Sequence, residues 1–129
     1  MFGISNIAFS GNNIYALSST SLFLSSNNGD TWLSISDNIR NYSIRTLAVS
    51  GDNIFVGTNV GILLSSSMGE SWKSVLLINE FINTIAIDSN FIIIGTSYYG
   101  VMISTDLGQS WQGANWGLPN CSIDKLIIG

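Results

Sequence analysis

Three octapeptides constrain what this chain can fold into. They are Ser25-Ser26-Asn27-Asn28-Gly29-Asp30-Thr31-Trp32, Ser65-Ser66-Ser67-Met68-Gly69-Glu70-Ser71-Trp72 and Ser104-Thr105-Asp106-Leu107-Gly108-Gln109-Ser110-Trp111. Their tryptophans stand 40 and then 39 residues apart. Self-similarity at a fixed period marks one supersecondary unit used repeatedly. Upstream of each octapeptide lies a matching pair of apolar runs, from Asn6, from Thr46 and from Thr84.

Each unit parses as four short strands, A to D, joined by Gly, Asn, Asp and Ser turns. In the second unit, A is about Ile44–Ser50, B is Ile54–Gly57, C is Gly61–Ser65 and D is Ser71–Leu76. No stretch shows sustained helical periodicity. A period near 40 with four strands per unit predicts an all-β chain of β-propeller blades, packed face to face about an axis. Burial on both faces explains why the B strands are apolar runs rather than strict alternations. The expected blades are 1–40, 41–79 and 80–119. Residues 111–129 align without gaps onto 32–50, so 120–129 reads as the first strand of a fourth blade.

The pattern S-x-D-x-G-x-[ST]-W resembles the Asp-box, or BNR, repeat of sialidases, sortilin-type receptors, xyloglucan-degrading enzymes and secreted bacterial repeat proteins. Ser104, Asp106, Gly108, Ser110 and Trp111 match it fully, whereas Asn27 and Ser67 replace the aspartate in the other copies. A tight hairpin needs one residue of positive φ, which Gly29, Gly69 and Gly108 can supply. A short acceptor before the glycine can bond the turn's N–H groups, as Asp, Asn and Ser all do. The tryptophan then buries a large face and anchors the hairpin. A metal ligand or catalytic acid would lose its chemistry on becoming Asn27 or Ser67; a turn acceptor would not. The resemblance implies the same structural role for Ser25, Asn27, Gly29, Trp32, Ser65, Ser67, Gly69, Trp72, Ser104, Asp106, Gly108 and Trp111.

Composition narrows the chemistry. With no histidine, His-based triads and His-liganded metal sites are absent. Cys121 is the one cysteine, so it forms no internal disulfide or thiolate zinc cage. Neither a metal nor a cofactor is expected. Sialidases use an arginine trio with a Tyr–Glu pair, but only Arg40 and Arg45 are present. Asp88 and Asp124 stand isolated in sequence, and Asp52 lies in a Gly-Asp-Asn turn, so no paired-carboxylate motif emerges. Asn41-Tyr42-Ser43 and Asn120-Cys121-Ser122 match the glycosylation acceptor, as an Asn- and Ser-rich chain does by composition. The net charge of −4 comes from 12 charged residues without a run of either sign, which argues against nucleic-acid binding. No apolar run approaches the roughly 18–20 residues of a membrane-spanning helix, so no membrane insertion is expected.

Topology directs the search for a site. In an A-B-C-D meander, the A–B turns and octapeptides share one end of the blades, and the B–C and D–A loops share the other. Those loops carry Arg40 and Tyr42, Phe81 beside Glu80, Tyr98 and Tyr99, and Trp116. The third blade has one inserted residue in its B–C loop, which brings the tyrosine pair. Aromatics on loops of a rigid scaffold serve protein or sugar recognition, while packing against neighbouring blades is the competing role.

Three blades cannot close a ring, since propellers use about four to eight. Either the chain belongs to a larger propeller, which the extra strand favours, or two copies close a six-bladed ring. The expected function is a non-enzymatic recognition or scaffold module for a protein or glycan. The alternatives are part of a sialidase- or xyloglucanase-like glycoside hydrolase whose catalytic residues lie in other blades, and an assembly factor similar to the photosystem II stability factor. Met1 leads into strand-like sequence with no secretory signal visible. The family resemblance nevertheless implies an extracellular or cell-surface bacterial setting.

Overall fold

The computed structural model describes residues 3–114. Trp116, Cys121, Asp124 and the expected strand at 120–129 lie outside them. The described residues form three four-stranded antiparallel sheets, each a meander in sequence order. The first contains β1 (Ile4–Ser10), β2 (Asn13–Ser18), β3 (Leu22–Ser25) and β4 (Leu33–Ser34). The second contains β5 (Ile44–Ser50), β6 (Asn53–Thr58), β7 (Gly61–Ser65) and β8 (Lys73–Leu77). The third contains β9 (Ile82–Asp88), β10 (Phe91–Thr96), β11 (Val101–Ser104) and β12 (Gln112–Gly113). The last strand is two residues long in the first and third blades, and a 3₁₀ turn at Asp37–Ile39 leads from the first blade to the second.

Strand alternation puts successive side chains on opposite faces, and here both faces of the middle blade are buried. Leu47, Val49, Ile54, Val56 and Leu63 meet Ala8, Tyr15, Leu17, Leu22 and Leu24 of the first blade in one core. The opposite face, with Ala48, Phe55, Ile62 and Leu64, meets Ile85, Ile87, Ile92, Ile94 and Met102 of the third blade in a second core. Strands β1, β5 and β9 adjoin one another along the inner edge. Alanine recurs there at 8, 48 and 86.

The two ends of the blades are held differently. At one end, Leu107 N–H of the third octapeptide donates to Asn90 O of the A–B turn (3.1 Å). At the other, D–A and B–C loops are laced together by Asn59 N–H to Ser43 O (3.1 Å) and Ser97 N–H to Phe81 O (3.3 Å). Each B–C loop is also closed by a buried hydroxyl: Ser18 Oγ to Ser21 O, Thr58 Oγ1 to Gly61 O, and Thr96 Oγ1 to Gly100 O. The third span is one residue longer and holds the insertion.

Candidate functional site

The octapeptide turns are built alike. Ser104 Oγ accepts from Gly108 N–H (2.8 Å) and donates to Asp106 Oδ1 (2.8 Å). Asp106 Oδ1 also accepts Ser110 N–H (2.9 Å), and Oδ2 accepts the Ser110 hydroxyl (2.6 Å). These donors, the Ser110 hydroxyl foremost, hold the Asp106 carboxyl down at about 2. Asn27 reproduces the arrangement, its Oδ1 accepting from Ser25 Oγ and Thr31 N–H at 2.9 Å each. Ser67 does so more loosely: its Oγ accepts Ser71 N–H at 3.0 Å and lies 3.4 Å from Ser65 Oγ. In all three copies the side chain faces its own turn.

The backbone corrects the expectation of a single positive-φ residue per hairpin. Asn28 and Gly29 have φ of 61° and 90°, Met68 and Gly69 59° and 89°, and Leu107 and Gly108 57° and 90°. Two successive positive values are the type I′ pattern, whose twist matches that of the flanking strands. Only Asn28 is a residue that tolerates this well; Met68 and Leu107 are held there by their contacts. Leu107 packs on the second core, and Met68 Sδ accepts the hydroxyl of buried Tyr15 (3.8 Å).

The expectation that each tryptophan buries a large face also needs correction. Trp72 and Trp111 are half-buried, and each indole N–H reaches a carbonyl of the preceding blade: Ile35 O (3.3 Å) and Val75 O (3.1 Å). Trp32 donates within its own turn to Gly29 O (3.2 Å) and remains 44% exposed. Its environment depends on a blade that precedes it, not on the octapeptide.

At the loop end, Tyr98 and Tyr99 stand 76% and 58% exposed. Below them Glu80, only 8% exposed, points its Oε1 at the backbone: Tyr98 N–H donates at 2.7 Å and Tyr99 N–H at 3.2 Å. A carboxylate taken from water needs such donors, and charge-assisted bonds are the stronger kind. Glu80 therefore fixes the loop so that both rings project outward at little cost in ordering. Beside it, the Arg45 guanidinium lies 3.8 Å from the centroid of the Phe81 ring. Arg45 Nη1 also donates to Asn83 Oδ1 (2.8 Å), which Ser97 Oγ reaches at 3.5 Å. Thus strand β5, strand β9 and the tyrosine loop are tied into one surface. An open cavity of about 410 Å³, lined by Ile78, Tyr99, Met102 and Gly113, adjoins it.

The remaining candidates are placed differently. Arg40 is exposed and pairs with Asp37 at 3.3 Å. The Ser34 hydroxyl, with Arg40, lowers the Asp37 carboxyl below its ordinary range. Tyr42 is half-buried against the first core, so packing claims it and it does not join the tyrosine pair. Trp116 lies outside the described residues. Arg45 and Asn83 escaped sequence reasoning, because neither forms a local motif. They occupy equivalent positions of adjacent blades, which only the repeat alignment could have brought together. A larger cavity, about 570 Å³, lies at the octapeptide end between blades two and three and is lined by Asn53, Lys73, Leu107 and Gln109 among others. Among the described residues Lys73 is its one charged lining group. Among the described residues no cluster of three metal-ligating side chains occurs.

No protein-family model matches the chain, and neither does any curated protein. Solved structures do. An ancestral GH74 enzyme is 25% identical, with a TM-score of 0.71 over 84% of this chain and 18% of that one. YCF48 from Cyanidioschyzon merolae is 20% identical, with a TM-score of 0.64 over 86% of this chain and 36% of its own. The extracellular domain of a protein described as a one-component system of B. thetaiotaomicron is 17% identical, with a TM-score of 0.71 over 85% and 16%. The chain therefore spans at most about a third of these proteins, and its three sheets form a β-propeller segment similar to part of each.

Proposed function

We propose that the chain is a non-enzymatic recognition module, an Asp-box propeller segment that binds a protein or glycan through its B–C and D–A loops. The observation that carries this reading is the exposed Tyr98–Tyr99 pair, pinned through its backbone by buried Glu80. Rigid, amphipathic aromatics lose little entropy on binding and dominate recognition surfaces. Arg45 stacked on Phe81 adds a cation whose guanidinium can donate to sugar hydroxyls or to a peptide. Asp106, the most suggestive acid of the sequence, is occupied by its own turn, which favours a role outside catalysis. An extracellular or cell-surface bacterial setting is part of the proposal and draws on the extracellular domains among the similar structures.

The test is a glycan array probed with the wild-type chain and with Tyr98→Ala/Tyr99→Ala. Glycan binding that falls at least tenfold in the double variant, at an unchanged melting temperature, supports the glycan form of the proposal. Binding that survives the double substitution removes the tyrosine loop from the site. A second reading, part of a glycoside hydrolase with its catalytic acids in other blades, is favoured by the 25% identity to the GH74 enzyme. Adjoining blades that carry a carboxylate pair about 5–10 Å apart would decide for it. The likeness to YCF48 is one of fold, and the four cations of the chain give an assembly-factor role little support.

A further inference from the structure

The cavity of about 570 Å³ between the second and third blades has a counterpart at the first blade junction, and there the chain's own side chains bond to it. Leu64, Ser74, Val75 and Gln109 line the cavity. The repeat puts Leu24, Ser34, Ile35 and Glu70 at the same positions one junction earlier. Two side chains of the 3₁₀ turn at Asp37–Ile39 reach them. Asp37 Oδ1 accepts the Ser34 hydroxyl (2.8 Å), and Asn38 Nδ2 donates to Glu70 O (2.9 Å). Arg40 pairs with the same Asp37 oxygen at 3.3 Å. One carboxylate thus lies between a hydroxyl and a cation, with an amide next to it.

The second junction is built without such a turn. Ile44 follows Trp32 by 12 positions, whereas its counterpart Ile82 follows Trp72 by 10. With the shorter connection, β8 runs on as a strand to Leu77, where β4 ends at Ser34. Counted from the tryptophan, Leu77 and Ile78 replace Asp37 and Asn38, and neither has a polar side chain. Ser74 and Gln109 keep the positions of Ser34 and Glu70 and are exposed. Lys73, in place of Leu33, brings a cation to the same wall, and among the described residues it has no ion-pair partner.

We propose that this cavity binds an acidic peptide segment of another protein, a carboxylate residue followed by an amide residue, in the manner of Asp37 and Asn38 at the first junction. Ser74 Oγ and Lys73 Nζ donate to the carboxylate, as Ser34 and Arg40 do to Asp37. The amide donates to Gln109 O, as Asn38 does to Glu70 O. Half-buried Leu64, Val75 and Leu107 receive the aliphatic parts of the peptide. Charge-assisted bonds of this kind are stronger than neutral ones. The site shares no residue with the tyrosine loop and stands whether or not that loop binds a ligand.

The probe is the blocked tetrapeptide Ser-Asp-Asn-Ile, the sequence of residues 36–39, titrated into the isotope-labelled chain and followed by amide NMR shifts. The expected result is a saturable shift of Lys73, Ser74, Gly108 and Gln109. Replacing the peptide's aspartate by asparagine, or Lys73→Leu in the protein, raises the dissociation constant by a factor of roughly 2–5. Lys73→Leu installs the residue found at position 33, so a cooperative melt is retained. Tyr98→Ala/Tyr99→Ala leaves the dissociation constant unchanged, which separates this site from the loop end. No saturation at about 5 mM peptide overturns the proposal, as does binding that Lys73→Leu or the asparagine peptide leaves undiminished. Acetate that shifts the same amides at the same concentrations overturns it too, since a bare anion then suffices.

Discussion

Trp32 and Trp111 end the same octapeptide but stand in different surroundings. Both turns have the serine–acceptor–glycine hydrogen bonds and the same pair of positive φ angles. Trp111 lies against the second blade and shares its N–H between Val75 O and Gly108 O, both at 3.1 Å. Among the described residues Trp32 packs in neither core and donates within its own turn. A Cβ added to Gly29 would meet nothing closer than the Trp32 ring at 3.8 Å, whereas one added to Gly69 would come within 2.5 Å of Ile35. Local sequence thus makes the turn, and the neighbouring blade decides what the turn is worth.

The comparison can be broken most forcefully at the glycines. Gly69→Ala combines a strained φ with a backbone clash across the blade junction, and should lower unfolding free energy by about 3 kcal/mol. Gly29→Ala carries the φ strain alone and should cost about 1 kcal/mol. Equal losses in urea titrations would show that the blade junction contributes nothing at the turn. Next come the tryptophans. Trp111→Ala leaves a gap and an unpaired carbonyl between two blades, for about 2–3 kcal/mol. Trp32→Ala should cost about 1 kcal/mol or less. A reversed order would place the load on the open side.

Acid titration sharpens the comparison between the turns themselves. The folded-state carboxyl of Asp106 is depressed from 3.8 to about 2, so it contributes stability that is present above pH 4 and is lost as the pH falls towards 2. Asp106→Asn should remove that part of the acid dependence, making the third turn behave like the first with its Asn27. A melting temperature that declines identically between pH 4 and pH 2 in both proteins would rule out this role. The smallest effect belongs to the A–B turns. Gly11 and Gly51 have φ of 57° and 58°, and the third blade puts Ser89 at 57° in the same place. Ser89→Gly should stabilise by about 0.5–1 kcal/mol, read as an upward shift of the urea midpoint.

Much of the fold was legible because a 40-residue period with four apolar runs admits few solutions. The second blade's strands fall within two residues of those read from sequence, since Gly51-Asp52 and Asn59-Val60 are strong turn signals. The surface at the loop end was legible only in part. Tyr98 and Tyr99 stood out through the inserted residue, but Glu80 lies 18 residues from Tyr98 and nothing local shows that its carboxylate is buried under that loop. Tyr42 looked like a loop aromatic and is claimed by a core assembled from two blades. Arg45 and Phe81 meet across a blade junction, 36 residues apart in the chain.

By itself the sequence determined the repeat, the strand order within a blade and the chemistry of each turn, since these depend on residues within one period of each other. Tertiary structure alone decided which tryptophan is sheltered, which acid is buried and which aromatics face water. Those outcomes depend on what lies across the gap between sheets, and side chains there come from positions nearly a full period away. The first blade shows the rule at its limit: its residues are patterned for a neighbour on both sides, and among the described residues only one side is filled.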